Sequence, residues 1–200
     1  MVGQHSAQSD GIADLAAILS SQVRARVLLQ VATHPEMRYS LTELGMALEM
    51  AVSSVQHECY KLERLGVVRG QREGSSRRYA LQTGTSVVRA LTRLILATVG
   101  VPVAIETALR DLPGLEAATL LGAIPAQAEA TALVLIGDLT LDTVELARHR
   151  VAWLLDADDA IEIAFFQPEE WLARRDAGHP LVRRLLDLPV RLAFGEVRNQ

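Results

Sequence analysis

Apolar positions recur at helical spacing through most of the first half of the chain. Ile12, Leu15, Ala16 and Leu19 predict a helix over Asp10–Leu19. Val23, Val27, Leu28 and Val31 predict a second, from about Ser21 to Thr33. His34-Pro35 ends it, because the residue before a proline avoids the helical region. Met37–Ser40 suits a short strand, and Ser40-Leu41-Thr42-Glu43 fits a capping box opening a helix over Leu41–Leu48. After a turn at Glu49–Ala51, a further helix spans Val52–Leu65 and stops at Gly66, a good left-handed terminator. Val67–Arg72 and Arg77–Leu81 read as strands joined by a hairpin-type turn, Glu73-Gly74-Ser75-Ser76. Thr85–Thr98 is helical again, with Val88, Leu91, Leu94 and Ile95 along one side.

The pattern changes after Gly100. Pro102 suits the first turn of a helix continuing through Val103–Leu112. Leu115–Leu121 and Ala132–Ile136 read as buried strands and Thr140–Leu155 as a helix. Ile161–Phe166 reads as a strand with Ile161, Ile163 and Phe165 on one face. Helices at Pro168–Arg175 and Leu181–Leu186 and a strand at Val190–Phe194 complete the order. The expected fold is therefore an α+β winged helix in residues 1–98, with the hairpin as wing, followed by a small α/β domain in residues 99–200.

Composition narrows the class. Half of the 200 residues are hydrophobic and 22% are charged, as in an ordinary soluble globular protein. No apolar run approaches the ~20 residues of a membrane span. The polar start Met1–Asp10 lacks an export pattern, which gives a cytoplasmic expectation. A single cysteine, Cys59, excludes an internal disulfide and a cysteine-rich zinc site. Residues 1–98 carry 11 Lys and Arg against 8 Asp and Glu, net +3, and residues 99–200 carry 9 against 16, net −7. A basic half joined to an acidic half suggests two units with different partners.

On the helix Val52–Leu65, Val55, Cys59 and Leu62 share the inner face at 100° per residue. Ser53, His57, Tyr60 and Arg64 point the other way, flanked by Ser54 and Lys61, while Glu58 and Glu63 lie off that axis. Hydroxyls, an imidazole and cations can donate to phosphates and base edges in a major groove. Arg72, Ser75, Ser76, Arg77 and Arg78 on the wing suit phosphate or minor-groove contact. These residues are the candidate double-stranded-DNA site.

Ser21–Leu28, Thr42-Glu43-Leu44, Ser53–Gln56 and Leu62–Arg69 resemble winged-helix regulators of the arsenic-repressor-like class over about residues 15–98. That resemblance implies DNA binding, a homodimer paired through the helix Thr85–Thr98, and recognition-helix roles for Ser53, Ser54, Gln56, His57 and Lys61. The cysteine or histidine cluster of metal-sensing members is missing, so neither a metal nor a cofactor is expected.

Leu120–Ala123 and Ala130–Gly137 resemble minimal nucleotidyltransferases, in which a Gly-Ser turn meets triphosphate oxygens and an Asp-x-Asp strand holds Mg²⁺. Gly122 keeps the pattern. Ala123 replaces the serine, Ala130 and Ala132 replace the aspartates, and Glu162 loosely matches a third carboxylate. The resemblance therefore implies a nucleotidyltransferase-like fold without catalytic residues, serving dimerisation or a small-molecule or protein effector. The expected function is transcriptional regulation. An active nucleotidyltransferase targeted by the winged helix, or an antitoxin-like interaction module, are the alternatives.

Overall fold

The computed structural model describes residues 3–122, 131–157, 161–188 and 190–195. Contacts within the chain divide it into two units, residues 1–104 and 105–200.

The first unit runs α1 (Gly3–Leu19), α2 (Gln22–Thr33), β1 (Arg38–Ser40), α3 (Leu41–Leu48), α4 (Val52–Arg64), β2 (Val68–Glu73), β3 (Ser76–Leu81) and α5 (Ser86–Val99). Helix α1 begins seven residues before the apolar spacing predicts it at Asp10. Local chemistry sets most other boundaries. Ser21 caps α2 by accepting from the Arg24 amide. At α3 the capping box is complete: Ser40 Oγ accepts from Glu43 N at 3.2 Å and Glu43 Oε2 accepts from Ser40 N at 2.7 Å. Helix α4 stops at Gly66, whose φ of +69° lets the Val67 amide turn back to Leu62 O at 2.9 Å.

The sheet order is β1-β3-β2, with antiparallel neighbours. Glu73 pairs with Ser76, so the turn between the strands is only Gly74-Ser75. Leu15, Leu44, Val55, Cys59, Leu62 and Tyr79 are buried beneath the helices. Each large apolar side chain so buried contributes about 1.5–3 kcal/mol.

Helix α5 buries Val88, Thr92, Ile95 and Val99, whereas Leu91 and Leu94 of the expected stripe are half-buried. The inner line is rotated because α1 lies against this end of α5. A Cβ on Gly11 would stand 2.7 Å from Thr98 O and 2.8 Å from Val99 Cα, so only glycine permits that approach. Thr92 satisfies its buried hydroxyl on Val88 O at 3.0 Å.

The second unit begins within α6 (Val101–Leu109) and continues with β4 (Leu115–Gly122), β5 (Thr131–Gly137), α7 (Leu141–Leu155), β6 (Ile161–Phe166), α8 (Pro168–Asp176), α9 (Pro180–Leu186) and β7 (Val190–Phe194). Helix α6 ends at Leu109, short of the expected Leu112. Arg150 of α7, 2% exposed, donates to Ala108 O at 2.6 Å and pairs with Asp111 at 2.5 Å. It thereby satisfies a terminal carbonyl of the helix that would otherwise be orphaned.

The sheet order is β6-β5-β4-β7; β5 and β6 are parallel, and β4 is antiparallel to both β5 and β7. Every residue of β5 is buried, as its unbroken apolar run predicts for an interior strand. One sheet face packs Val134, Ile136 and Phe166 against Trp171, Val182 and Leu185. The Phe166 and Trp171 rings lie 5.2 Å apart and tilted by 54°. Phe165 shares a face with Ile161 but is 46% exposed, because β6 is an edge strand and cover thins toward its end.

Candidate nucleic-acid interface

Helix α4 turns Val55, Glu58, Cys59 and Leu62 inward. Ser53, Ser54, His57, Tyr60 and Arg64 stand exposed on its outer side, with Gln56 and Lys61 half-buried at the margins. Gln56 Nε2 donates to Tyr60 Oη at 3.2 Å, which orders two polar groups one turn apart. The wing carries Arg72, Ser75, Ser76 and Arg77 exposed and Arg78 half-buried.

The cations are less free than the helical wheel implies. Glu58, 5% exposed, is the carboxylate beneath them. Arg24 Nε of α2 donates to its Oε2 at 2.8 Å and Lys61 Nζ to its Oε1 at 3.0 Å. Burial opposes ionisation of Glu58, but the bonds from Lys61 and Arg24 outweigh it and hold the carboxyl below its ordinary range. Lys61 therefore sits at the margin of the face as part of a clamp between α2 and α4.

Two of the wing arginines, Arg77 and Arg78, are also paired with carboxylates. Strand alternation places Arg77 and Arg78 on opposite faces of β3. Arg77 turns toward α4, and its Nη2 donates to Glu63 Oε1 at 2.6 Å; its guanidinium also lies 5.7 Å from the centre of the Tyr79 ring. Glu63 Oε1 accepts from the Gly70 amide at 3.1 Å as well, so one carboxylate ties the recognition helix to both wing strands. Arg78 turns the other way and reaches Glu43 at 2.9 and 3.3 Å, together with the Arg38 carbonyl at 2.9 Å. Glu43 thus caps α3 and anchors the wing. The Ser40 amide, followed by bonds from Ser40 Oγ and Arg78, keeps its carboxyl below the ordinary range despite burial. Arg64, Arg69 and Arg72 have no ion pair among the described residues and are exposed.

Two contributors were not legible as site residues in the sequence. Arg24 closes a shallow basic cleft of about 310 Å³ with Lys61, Arg64 and Leu65. Arg69 stands exposed on β2. Sequence spacing carries no signal for Arg24, which meets Glu58 across 34 residues.

Cys59 is fully buried, and burial, then the nearby Glu58 and Glu63 charges, push its thiol up to about 12. No group of His, Cys, Asp and Glu among the described residues could hold a metal ion. No single helix among them is long and apolar enough to cross a membrane.

In the second unit, Ala132 lies on β5 directly opposite Glu162 of β6. The Glu162 carboxylate is taken by Arg184 of α9 at 2.8 Å. Gly122 is the last residue of β4, whereas Ala123 and Ala130 lie outside the described residues.

No protein-family model matches the chain, and no curated protein matches it. Solved structures similar to its first half include the following two. Reduced HlyU from Vibrio cholerae is 22% identical with a TM-score of 0.33, over 47% of this chain and 90% of that one. The homodimeric winged helix-turn-helix DNA-binding domain of Mb0332 from Mycobacterium bovis, a possible ArsR-family transcriptional regulator, is 18% identical with a TM-score of 0.32, over 48% of this chain and 85% of that one. The winged helix-turn-helix itself is carried by this chain's own element order, with α3 and α4 as the helix pair and β2–β3 as the wing.

Proposed function

We propose that the protein is a homodimeric transcriptional regulator that reads duplex DNA with α4 and positions itself with the wing. The observation that carries this reading is the outer face of α4. Ser53, His57, Tyr60 and Arg64 stand exposed together, and the carboxylates of the helix are turned inward or committed to arginine. Such a face offers donors to base edges without a negative charge against the phosphates. Arg64, Arg69 and Arg72, which have no ion pair among the described residues, supply cations for the backbone. Crosslinking and genome-wide sequencing of bound DNA test it: discrete peaks support a regulator, and an absence of enrichment removes it.

Dimerisation through α5 is part of the proposal. Val87 is exposed, and Leu91 and Leu94 are half-buried beside it, an apolar margin suited to a second copy. Light scattering at micromolar concentration should give twice the 21.8 kDa chain mass; a monomer would remove this part.

The second unit is proposed to be nucleotidyltransferase-like and without that activity. Ala132 offers no metal ligand where the family pattern needs a carboxylate, and Glu162 opposite it is bound to arginine. One carboxylate cannot hold Mg²⁺ against a triphosphate. The purified protein should transfer no nucleotide from any nucleoside triphosphate with Mg²⁺ or Mn²⁺. Labelling of protein or RNA that disappears in Glu162→Ala would overturn this.

A further inference from the structure

A cavity of about 220 Å³ opens in the second unit between β5–β6 and α9. Its floor is apolar: Ala132, Ala164, Leu181 and Leu185, with Phe166 on one side. Two alanines create the room, since the neighbouring core positions Leu121, Val134 and Ile136 are larger. The volume lies below the ~300–1,000 Å³ of pockets for drug-sized ligands, so it suits a small metabolite.

The rim supplies charges of both signs. Arg184 and Glu162 face each other at 2.8 Å and are 63% and 57% exposed. Arg174 lies 5.6 Å from the Phe166 ring centre and pairs with Glu170 at 2.6 Å. These four charges cancel. A monoanion drawn to Arg184 would meet Glu162 beside it, and a monocation drawn to Glu162 would meet Arg184. A zwitterion satisfies both: its carboxylate takes the planar guanidinium fork and its ammonium takes the glutamate. Because so exposed an ion pair is weak, opening it for such a ligand is easy.

We infer that this cavity binds a small α-amino acid, with its charged end between Arg184 and Glu162 and an apolar side chain on the alanine floor. The inference goes beyond the DNA-binding reading and does not depend on it.

Calorimetric titration of the full chain with L-leucine and L-phenylalanine tests it. The expected result is saturable binding in the micromolar to millimolar range by at least one of them. For the leucine skeleton, 4-methylpentanoate and 3-methylbutan-1-amine, which each keep one charge, should bind at least tenfold more weakly. Arg184→Gln and Glu162→Gln should each cost tenfold or more, and Ala164→Leu should abolish binding by filling the floor. The two rim variants are solvent-exposed changes, so a test remains if Ala164→Leu fails to fold. No saturable heat with either amino acid at millimolar concentration would overturn the inference. So would a single-charge analogue binding as well as its parent, or rim variants that bind normally. The assay contains no DNA, so its failure is separate from failure of the regulator reading.

Discussion

The Glu63–Arg77 pair gives the sharpest perturbation of the proposed interface. Glu63→Gln keeps a carbonyl that can accept from the Gly70 amide but removes the charge that holds Arg77. The pair is partly exposed, 26% for Glu63 and 50% for Arg77, so its loss should cost stability only about 0.2–1 kcal/mol. The effect on DNA should have the opposite sign. A unit charge about 7 Å from a phosphate is worth roughly 0.6 kcal/mol in water and about 2 kcal/mol near a protein surface. An intermediate value of about 1 kcal/mol predicts roughly fivefold tighter binding to any duplex. Arg77, once released, can take a phosphate, which should steepen the log–log salt dependence by about 0.9. Fluorescence anisotropy on a scrambled duplex at several salt concentrations reads both quantities. Unchanged affinity and slope, or weaker binding with an unchanged melting temperature, would refute the placement of the wing against DNA.

Three further outcomes follow from the first unit. Glu58 ionises more readily folded than unfolded, so its contribution is complete above the ordinary value of 4.5 and is lost as pH falls through the lower folded value; Glu58→Gln should flatten the loss of thermal stability as pH falls below 4.5, and an unchanged profile would contradict the clamp. Cys59 should resist alkylation in the folded protein at about pH 8 and react on unfolding, as mass spectrometry can follow. Gly11→Ala should destabilise by about 1–3 kcal/mol in denaturant titration, because its Cβ meets the α5 backbone, and a neutral result would contradict the close packing of α1 on α5.

The sequence exposed what is decided within a few residues. Ser40 and Glu43 stand three apart, so their capping box is readable, as are the stop at Gly66 and the turn after Glu73. The inward set Val55, Cys59 and Leu62 follows from helical period alone. Hidden were the pairings that cross the fold. Glu63 meets Arg77 across 14 residues, Glu58 meets Arg24 across 34, and Glu43 meets Arg78 across 35. Residue type showed that wing arginines could contact phosphate, but only the register of β3 against β1 and β2 reveals which carboxylate each already holds. On α5 a contact across the fold likewise decides which positions turn inward. Its apolar positions allow two inner lines, and the approach of Gly11 selects the one through Thr92 and Val99.

In the proposed function, α4 and the wing contact duplex DNA. Amide chemical-shift mapping of the isotopically labelled full chain, titrated with a duplex at low salt, tests it most directly. Changes should concentrate at Ser53, Ser54, His57, Tyr60 and Arg64 and at the wing residues 69–78, with the amides of 131–137 and 161–166 unmoved. Changes confined to the second unit, or none at all with duplex in excess, would contradict it.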